Sequence, residues 1–218
     1  MHTKDHLSAK PYSICRSYNL LSYNYFVSTK TVPFRPLKRT KTFLTGCFLR
    51  FINTLNMSTD NRFIKRCIDL AHEAFQKGDS PFGALVARGD KIIVEATNSI
   101  VTQNDITAHA EIIAIRQTQK IIEHSDLSKF VLYSSCEPCP MCSFMIREAK
   151  FRKVVFSLRS PSMGGLSKWN ILQDADLEHF PPYFSKIPKI ISGINETEMT
   201  MYYDAIGWDK YYKKVVAF

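Results

Sequence analysis

The apolar positions in the central part of the chain change their spacing several times. Between residues 63 and 75 they recur every three or four positions, which is the spacing of one face of an amphipathic helix. Ser58 and Asp60 are suited to cap the start of this helix, and Gly78 is suited to end it. The pattern therefore predicts a first helix between these caps.

The next part of the chain alternates between short apolar runs and longer periodic segments. The stretches G-A-L-V-A (83–87) and K-I-I-V-E-A (91–96) predict two strands, and Gly89-Asp90 predicts the turn that joins them as a hairpin. The same criteria predict three further strands and three further helices. The strands cover residues 130–133, 154–157 and 189–192, and the helices cover residues 107–120, about 140–149, and a segment that begins near 196.

Helices interleaved with short strands predict an α/β sandwich, in which a sheet lies between layers of helices. Two segments fit no predicted element. One is the connection 161–187, which contains M-G-G-L-S-K-W (163–169), and the other is the aromatic tail 202–212. No apolar run approaches the roughly 18 residues of a membrane span, so the sequence predicts no membrane association.

The net charge of +9 is unevenly distributed along the chain. Residues 1–56 carry nine Lys/Arg and one Asp, whereas residues 57–218 carry 20 Lys/Arg and 19 Asp/Glu, a net charge of +1. We therefore divide the chain into a basic, acid-poor extension (1–56) and a folded domain (57–218). The extension is consistent with translation from an upstream start codon, with a targeting segment or with a basic binding arm.

Three of the six cysteines lie in S-S-C-E-P-C-P-M-C, residues 134–142. By themselves, Cys139 and Cys142 form a C-x-x-C that fits a redox pair, an inert buried pair or a metal site. A structural four-cysteine zinc site would need a second C-x-x-C, which the sequence lacks. We expect Cys136 to be a packing residue, because a third thiolate would close the position that a catalytic zinc site keeps open for water.

A histidine thirty residues before Cys139 adds a third ligand of the right chemistry. His109 and Glu111 form H-A-E at the start of a predicted helix. One imidazole and two thiolates would leave a fourth tetrahedral position for water, as catalytic zinc sites do. Residues two apart on a helix point in different directions, so Glu111 would be displaced from the metal and could lie beside that water.

The combination of H-A-E with P-C-P-M-C resembles the H-x-E…P-C-x-x-C signature of zinc nucleobase deaminases. The chain resembles the cytidine-deaminase-like superfamily, nearest to its branch of bacterial guanine deaminases and tRNA adenosine deaminases. This resemblance implies a five-stranded mixed sheet between helix layers. It also implies one zinc ion per chain held by His109, Cys139 and Cys142, a bound water or hydroxide as nucleophile, and Glu111 as the general acid and base.

The resemblance favours guanine as the substrate, because S-P-F-G-A (80–84) is similar to the P-F-G-A of guanine deaminases. It implies Asn98 as a residue that hydrogen-bonds the base. Phe82, which could either stack on the base or belong to the core, and Ala110 are the other candidate substrate-binding residues. The alternative is a tRNA-specific adenosine deaminase, which the near-neutral charge of residues 57–218 disfavours. A zinc-binding module without catalysis is a third hypothesis, against which the intact Glu111 argues.

The remaining expectations concern partners, location and the aromatic tail. We expect a small-molecule purine substrate, a homodimer and a cytoplasmic location, unless residues 1–56 direct the chain to an organelle. The resemblance to guanine deaminases implies that C-terminal aromatic residues close the pocket, whereas aromatic tails also serve as ordinary packing in dimers. The candidates in this chain are Tyr202, Tyr203, Trp208, Tyr211 and Tyr212.

Overall fold

The computed structural model describes residues 58–184 and 186–208. The predicted extension 1–56 lies outside the described residues, and so do Tyr211 and Tyr212 of the aromatic tail. The boundary between extension and domain therefore stays a prediction. Among the described helices, none combines the length and the hydropathy that a bilayer crossing requires.

The first predicted helix is present as α1, Thr59–Gln76. The Ser58 hydroxyl accepts a hydrogen bond from the Asn61 N–H at 3.3 Å, which caps the helix as the sequence indicates. The periodic apolar face of α1 is buried against the sheet. Its buried residues are Phe63, Ile64, Cys67, Ile68, Leu70, Ala71 and Ala74.

Five strands form one mixed sheet, in the order β2-β1-β3-β4-β5. The strands are β1 Gly83–Arg88, β2 Lys91–Thr97, β3 Val131–Cys136, β4 Lys153–Leu158 and β5 Lys189–Ser192. The hairpin β1–β2 and the pair β1–β3 are antiparallel, whereas β3–β4 and β4–β5 are parallel. Every residue of β3 is buried, because helices cover both faces of the sheet at its centre.

Helices pack on both faces of this sheet. They are α1 and the helices α3 Ala110–Ile122, α4 Pro140–Glu148 and α5 Glu196–Ile206. A short helix α2, Ile100–Gln103, has no buried residue, and 3₁₀ turns lie at Ile171–Gln173 and Asp176–His179. One core joins α3 and α4 to the sheet through residues such as Ile115, Ile146 and Phe156. A second core joins α1 and α5 to the opposite face through residues such as Phe63, Val155 and Met199. The predicted three-layer α/β/α sandwich with a five-stranded mixed sheet is confirmed.

The short helix α2 and the start of α3 differ from the sequence prediction. No helix or strand was predicted between residues 98 and 105, but α2 occupies part of this segment. The Asp79 carboxylate accepts hydrogen bonds from the N–H groups of Val101 at 2.7 Å and Thr102 at 3.1 Å, which stabilises the first turn of α2. Helix α3 begins at Ala110 rather than at 107, and His109 is its N-cap residue.

Candidate active site

Three of the predicted site residues meet where two helices begin. His109 is the N-cap of α3, Cys139 is the N-cap of α4, and Cys142 lies in the first turn of α4. The His109 Nδ1 atom lies 3.7 Å from Cys139 Sγ and 3.5 Å from Cys142 Sγ, and the two sulfur atoms are 3.6 Å apart. Among the described residues this is the group whose ligand atoms could hold a metal ion, and Cys136 is not part of it.

The separations between these atoms fit a tetrahedral zinc ion. Zinc bonds of about 2.3 Å to sulfur and about 2.0–2.1 Å to nitrogen imply tetrahedral edges of roughly 3.8 Å between sulfurs and roughly 3.6 Å between sulfur and nitrogen. The observed 3.5–3.7 Å agree with these edges. The sulfur atoms are too far apart for a disulfide, whose bond is about 2.05 Å, and both cysteines are free thiols.

The two thiols of this group ionise unequally. A hydrogen bond from the Cys142 thiol, together with His109, lowers the pKa of Cys139 to about 4 despite its partial burial. The same hydrogen bond, together with burial and the negative charges nearby, raises the pKa of Cys142. A bound zinc ion would hold both sulfur atoms as thiolates, because metal-ligating cysteines are deprotonated.

Glu111 lies beside this group, in the first turn of α3, and is 6% exposed. Its Oε1 atom accepts a hydrogen bond from the Ser134 hydroxyl at 2.9 Å, and its Oε2 atom lies 3.6 Å from Cys142 Sγ. Burial raises the pKa of Glu111, and the adjacent Cys139 raises it further. A carboxyl group with a raised pKa is suited to both accept and donate a proton near neutral pH.

A cavity of about 240 Å³ opens onto these residues. Its walls come from the metal group, from the end of β3, from the segment after β4 and from the C-terminal helix. The lining residues are Phe82, His109, Glu111, Cys136, Glu137, Cys139, Leu158, Arg159, Ser160, Pro161, Ser162, Met163, Tyr203 and Trp208. Apolar side chains form most of these walls, and the polar groups are few, as in other small-ligand sites.

Three aromatic rings form one side of the cavity. Phe82 packs edge-on against Tyr203 and Trp208, with ring centroids 6.3 Å and 5.8 Å apart. The Tyr203 hydroxyl donates to the Pro81 carbonyl at 3.2 Å and so ties α5 to the loop before β1. Tyr202, another candidate from the aromatic tail, stacks instead on His72 at 3.6 Å and does not line the cavity.

Two predicted substrate-binding residues, Asn98 and Ala110, do not line this cavity. Asn98 is 2% exposed, and its side-chain N–H group donates to the Asp79 carboxylate at 3.4 Å. Ala110 is fully buried in the first turn of α3. Of the three predicted substrate-binding residues, Phe82 lines the cavity, whereas Asn98 and Ala110 do not. The substrate-binding role of all three stays a prediction.

Several cavity residues carry no signal that the sequence analysis used. They are Glu137, which precedes the C-x-x-C, and residues 158–163, which form the end of β4 and the segment after it. Ser134, which donates a hydrogen bond to Glu111 but does not line the cavity, also had no such signal. The position of Glu137, directly before Pro138-Cys139, was the one sign in the sequence. A carboxylate next to two predicted thiolate ligands needs hydrogen-bond donors of its own, so its presence indicated a structural contact there.

Comparison with known proteins agrees with this site. The family described as cytidine and deoxycytidylate deaminase zinc-binding region matches residues 57–158. Guanine deaminase of Bacillus subtilis is 43% identical over 96 residues, which span 44% of this chain and 62% of that enzyme, less than two thirds of its length. The tRNA-specific adenosine deaminase of Aquifex aeolicus is 37% identical over 118 residues, which span 54% of this chain and 78% of that enzyme.

A solved structure from a study of A-to-I editing by tRNA:A34 deaminases also superposes on this fold. Its TM-score is 0.58 at 27% identity, and the match covers 64% of this chain and 97% of that one. Fold and site together define the class of zinc-binding deaminases with an α/β/α sandwich. The chain belongs to the cytidine and deoxycytidylate deaminase zinc-binding family, and the predicted zinc cofactor is confirmed with this assignment.

Proposed function

We propose that the protein is a hydrolytic deaminase of a purine, with guanine as the preferred substrate and xanthine and ammonia as products. One observation carries the proposal. The buried carboxyl group of Glu111 adjoins the His109, Cys139 and Cys142 ligand group in a small cavity walled by aromatic rings. Hydrolytic deamination of a nucleobase requires a general base, a metal-binding group and aromatic or apolar side chains that contact the face of the base.

The residues of the site take distinct roles in this reaction. His109, Cys139 and Cys142 would hold zinc, which supplies a water nucleophile of lowered pKa when it is bound. Glu111 accepts a proton from the water that attacks the amine-bearing ring carbon. Glu111 then donates that proton to the amine nitrogen, and the bond between the ring carbon and this nitrogen breaks. Ammonia is released, and the ring carbon carries a keto group in the product. The Ser134 hydroxyl holds Oε1 of Glu111, so that the carboxyl group keeps one orientation through both transfers.

The cavity dimensions support a single purine ring as the reacting group. Its volume of about 240 Å³ is below the roughly 300–1,000 Å³ of typical drug-sized ligand sites. The rings of Phe82, Tyr203 and Trp208 offer faces and edges for contact with an aromatic base. The net charge of only +1 over residues 57–218 favours a free base over a polyanion.

A tRNA-specific adenosine deaminase is the second candidate function. It is favoured by the extent of the similarity, because the match covers 78% of the Aquifex enzyme but 62% of the Bacillus guanine deaminase. A flipped adenine in a single-stranded loop could enter the same small cavity. In that case, the nucleic acid would contact residues outside the cavity.

A substrate panel tests both candidates. Zinc-loaded protein is incubated with guanine, adenine, adenosine, cytosine and a tRNA anticodon stem-loop, and ammonia and inosine are measured. We expect ammonia from guanine at the highest kcat/KM. Inosine in the stem-loop with inert guanine would replace the first candidate by the second. No turnover of any substrate by fully loaded protein would contradict purine deamination as a whole.

We also infer that residues 57–218 form a complete catalytic unit, which acts as a homodimer in the cytoplasm. Cavity and metal group come from residues 82–208. Equal kcat/KM for the full chain and for a chain that begins at Met57 is the expected result. Size-exclusion chromatography with light scattering should give twice the mass of one chain. If the chain that begins at Met57 were inactive, the extension 1–56 would be required for activity.

A further inference from the structure

The segment that follows β4 forms one wall of the cavity. We call residues 159–167 the wall loop. Its first half, Arg159–Met163, lines the cavity, and its second half belongs to the M-G-G-L-S-K-W stretch that matched no predicted element. The wall loop contains turns but no helix or strand, and the N–H groups of Met163 and Gly164 donate to the Ser160 carbonyl within it. Its remaining backbone groups can be satisfied by other parts of the chain.

Glu137 accepts hydrogen bonds from several of these groups. Its side chain is almost completely enclosed, at 5% exposure, and both carboxylate oxygens point into the wall loop. Oε2 accepts from the Ser160 N–H at 2.9 Å and from the Ser167 hydroxyl at 2.6 Å. Oε1 accepts from the N–H groups of Leu166 at 2.9 Å and Ser167 at 2.6 Å. The two ends of the wall loop are therefore bonded to one carboxylate.

The adjacent glycines are required by this close approach. A Cβ atom at Gly164 would overlap the Glu137 carboxylate, and one at Gly165 would overlap the Ser143 side chain on α4. The Gly165 N–H donates to the Pro138 carbonyl at 2.8 Å, and Ser143 donates to the same carbonyl at 3.2 Å. The wall loop thus lies directly on the chain between Glu137 and Cys139, the stretch that leads into the metal group.

Glu137 and Glu111 both line the cavity, but Glu137 is bonded to the wall loop. Each of its two carboxylate oxygens accepts two hydrogen bonds from donors of that loop. We propose that Glu137 is a positioning residue that fixes the wall loop relative to the metal group and thereby sets the size and orientation of the ring that the cavity accepts. This proposal rests on the purine deaminase function proposed above.

The substitution Glu137→Gln tests this role with little change in shape. In the glutamine side chain, an NH₂ group replaces one of the two carboxylate oxygens. This NH₂ group would face the N–H and O–H donors of the wall loop, so at least one hydrogen bond to the loop is lost. We expect KM for guanine to rise roughly tenfold, with kcat changed much less and zinc content unchanged, because the wall contributes to binding rather than to bond breaking. Glu148→Gln, the same change at an exposed position of α4, is the matched control and should match the wild type.

Hydrogen–deuterium exchange of the peptide that contains residues 159–167 gives a readout independent of catalysis. We expect faster exchange in the Glu137→Gln protein than in the wild type and the Glu148→Gln control. Unchanged exchange would overturn the anchoring role. Faster exchange with an unchanged KM would overturn the role in substrate selection. If the wild type deaminates no purine, the proposed function fails, while exchange still decides whether Glu137 holds the wall loop.

Gly164→Ala offers an independent approach to the same contact. The added methyl group displaces the wall loop from Glu137 without altering any charge, so we expect a similar rise in KM. Because both changes loosen one contact, the double variant should show an effect well below the product of the single effects. Fully multiplicative effects on KM would contradict a shared mechanism.

Discussion

Glu111 and Glu137 line the same cavity and are almost equally buried, at 6% and 5% exposure, yet their surroundings differ. The Ser134 hydroxyl and the Cys142 sulfur lie against Glu111, and burial raises the pKa of this carboxyl group. Three backbone N–H groups and one hydroxyl group of the wall loop donate hydrogen bonds to the Glu137 carboxylate. A buried carboxyl group with few donors is available for proton transfer, whereas one with many donors organises the chain around it.

We expect the largest effect from removing a ligand of the metal ion beside which Glu111 lies. His109→Ala should lower zinc affinity by more than about 100-fold, because even outer partners of metal ligands contribute 10- to 100-fold. Turnover should be lost together with the metal. Elemental analysis of the purified protein measures zinc per chain. Cys136→Ser is the control, since Cys136 lies outside the ligand group, and loss of zinc from it would contradict the assigned ligand set.

The second test separates the two carboxylates directly. Glu111→Gln should lower kcat by roughly 10²- to 10⁴-fold, the contribution of a positioned general acid and base, and should leave zinc bound. Steady-state kinetics and metal analysis on the same preparation measure both quantities. The expected pattern is a loss in kcat for Glu111→Gln and a rise in KM for Glu137→Gln. The reverse pattern would exchange the roles of the two residues.

A smaller effect is expected at the hydroxyl group that orients Glu111. Ser134→Ala removes the 2.9 Å hydrogen bond to Oε1, which contributes about 0.5–1.5 kcal/mol in typical cases. We therefore expect kcat to fall about two- to tenfold at saturating substrate, with zinc content unchanged. Ser135→Ala is a nearby comparison, because Ser135 accepts from the Gly83 N–H instead. Equal losses of kcat in both variants would show that the effect is not specific to Glu111.

The smallest effect concerns Asp60, a carboxylate with strong donors but far from the chemistry. Burial raises its pKa, but hydrogen bonds from Lys153 at 2.7 Å and Tyr133 at 2.7 Å outweigh burial and hold the pKa below its usual value. The stabilisation is therefore present above the unfolded-state pKa and is lost as the pH falls through the lower folded-state pKa. Asp60→Asn should lower the free energy of unfolding by about 1 kcal/mol at pH 7.

Urea unfolding of the wild type and Asp60→Asn at several pH values measures this difference. The two proteins should converge in stability as the pH falls below about 4, where the unfolded carboxyl group becomes protonated. Activity at pH 7 should be unchanged, in contrast to Glu111→Gln. A difference in stability that persists at low pH would mean that Asp60 acts through packing rather than through its charge.

The metal group was predictable from sequence because metal binding demands particular residue types. His109, Cys139 and Cys142 offer an imidazole and two thiolates just before or within the first turn of predicted helices, and few other structures need that combination. The fold was predictable for a similar reason, since apolar positions three or four residues apart mark α1, and two short apolar runs on either side of Gly89-Asp90 mark the β1–β2 hairpin.

The wall loop and α2 were not predictable because their shape comes from distant carboxylates. Glu137 bonds to backbone N–H groups 23 to 30 residues later, and Asp79 bonds to those of Val101 and Thr102. Backbone donors are present at almost every residue, so such contacts leave no residue type or spacing to detect. Asn98 illustrates the same limit, because its bond to Asp79 depends on how the chain folds back.

The parallel pairing of β3 with β4 has a consequence for how such enzymes can diversify. Cys136 lies opposite Leu158, so the segments that leave the two strands emerge side by side at the same edge of the sheet. One segment carries Cys139 and Cys142, the other is the wall loop, and the Glu137 carboxylate bonds the two together. A wall loop of different length or composition could replace this one while the segment with the two cysteines is retained. The requirement is that Glu137 is kept together with Gly164, which faces it, and Gly165, which faces Ser143.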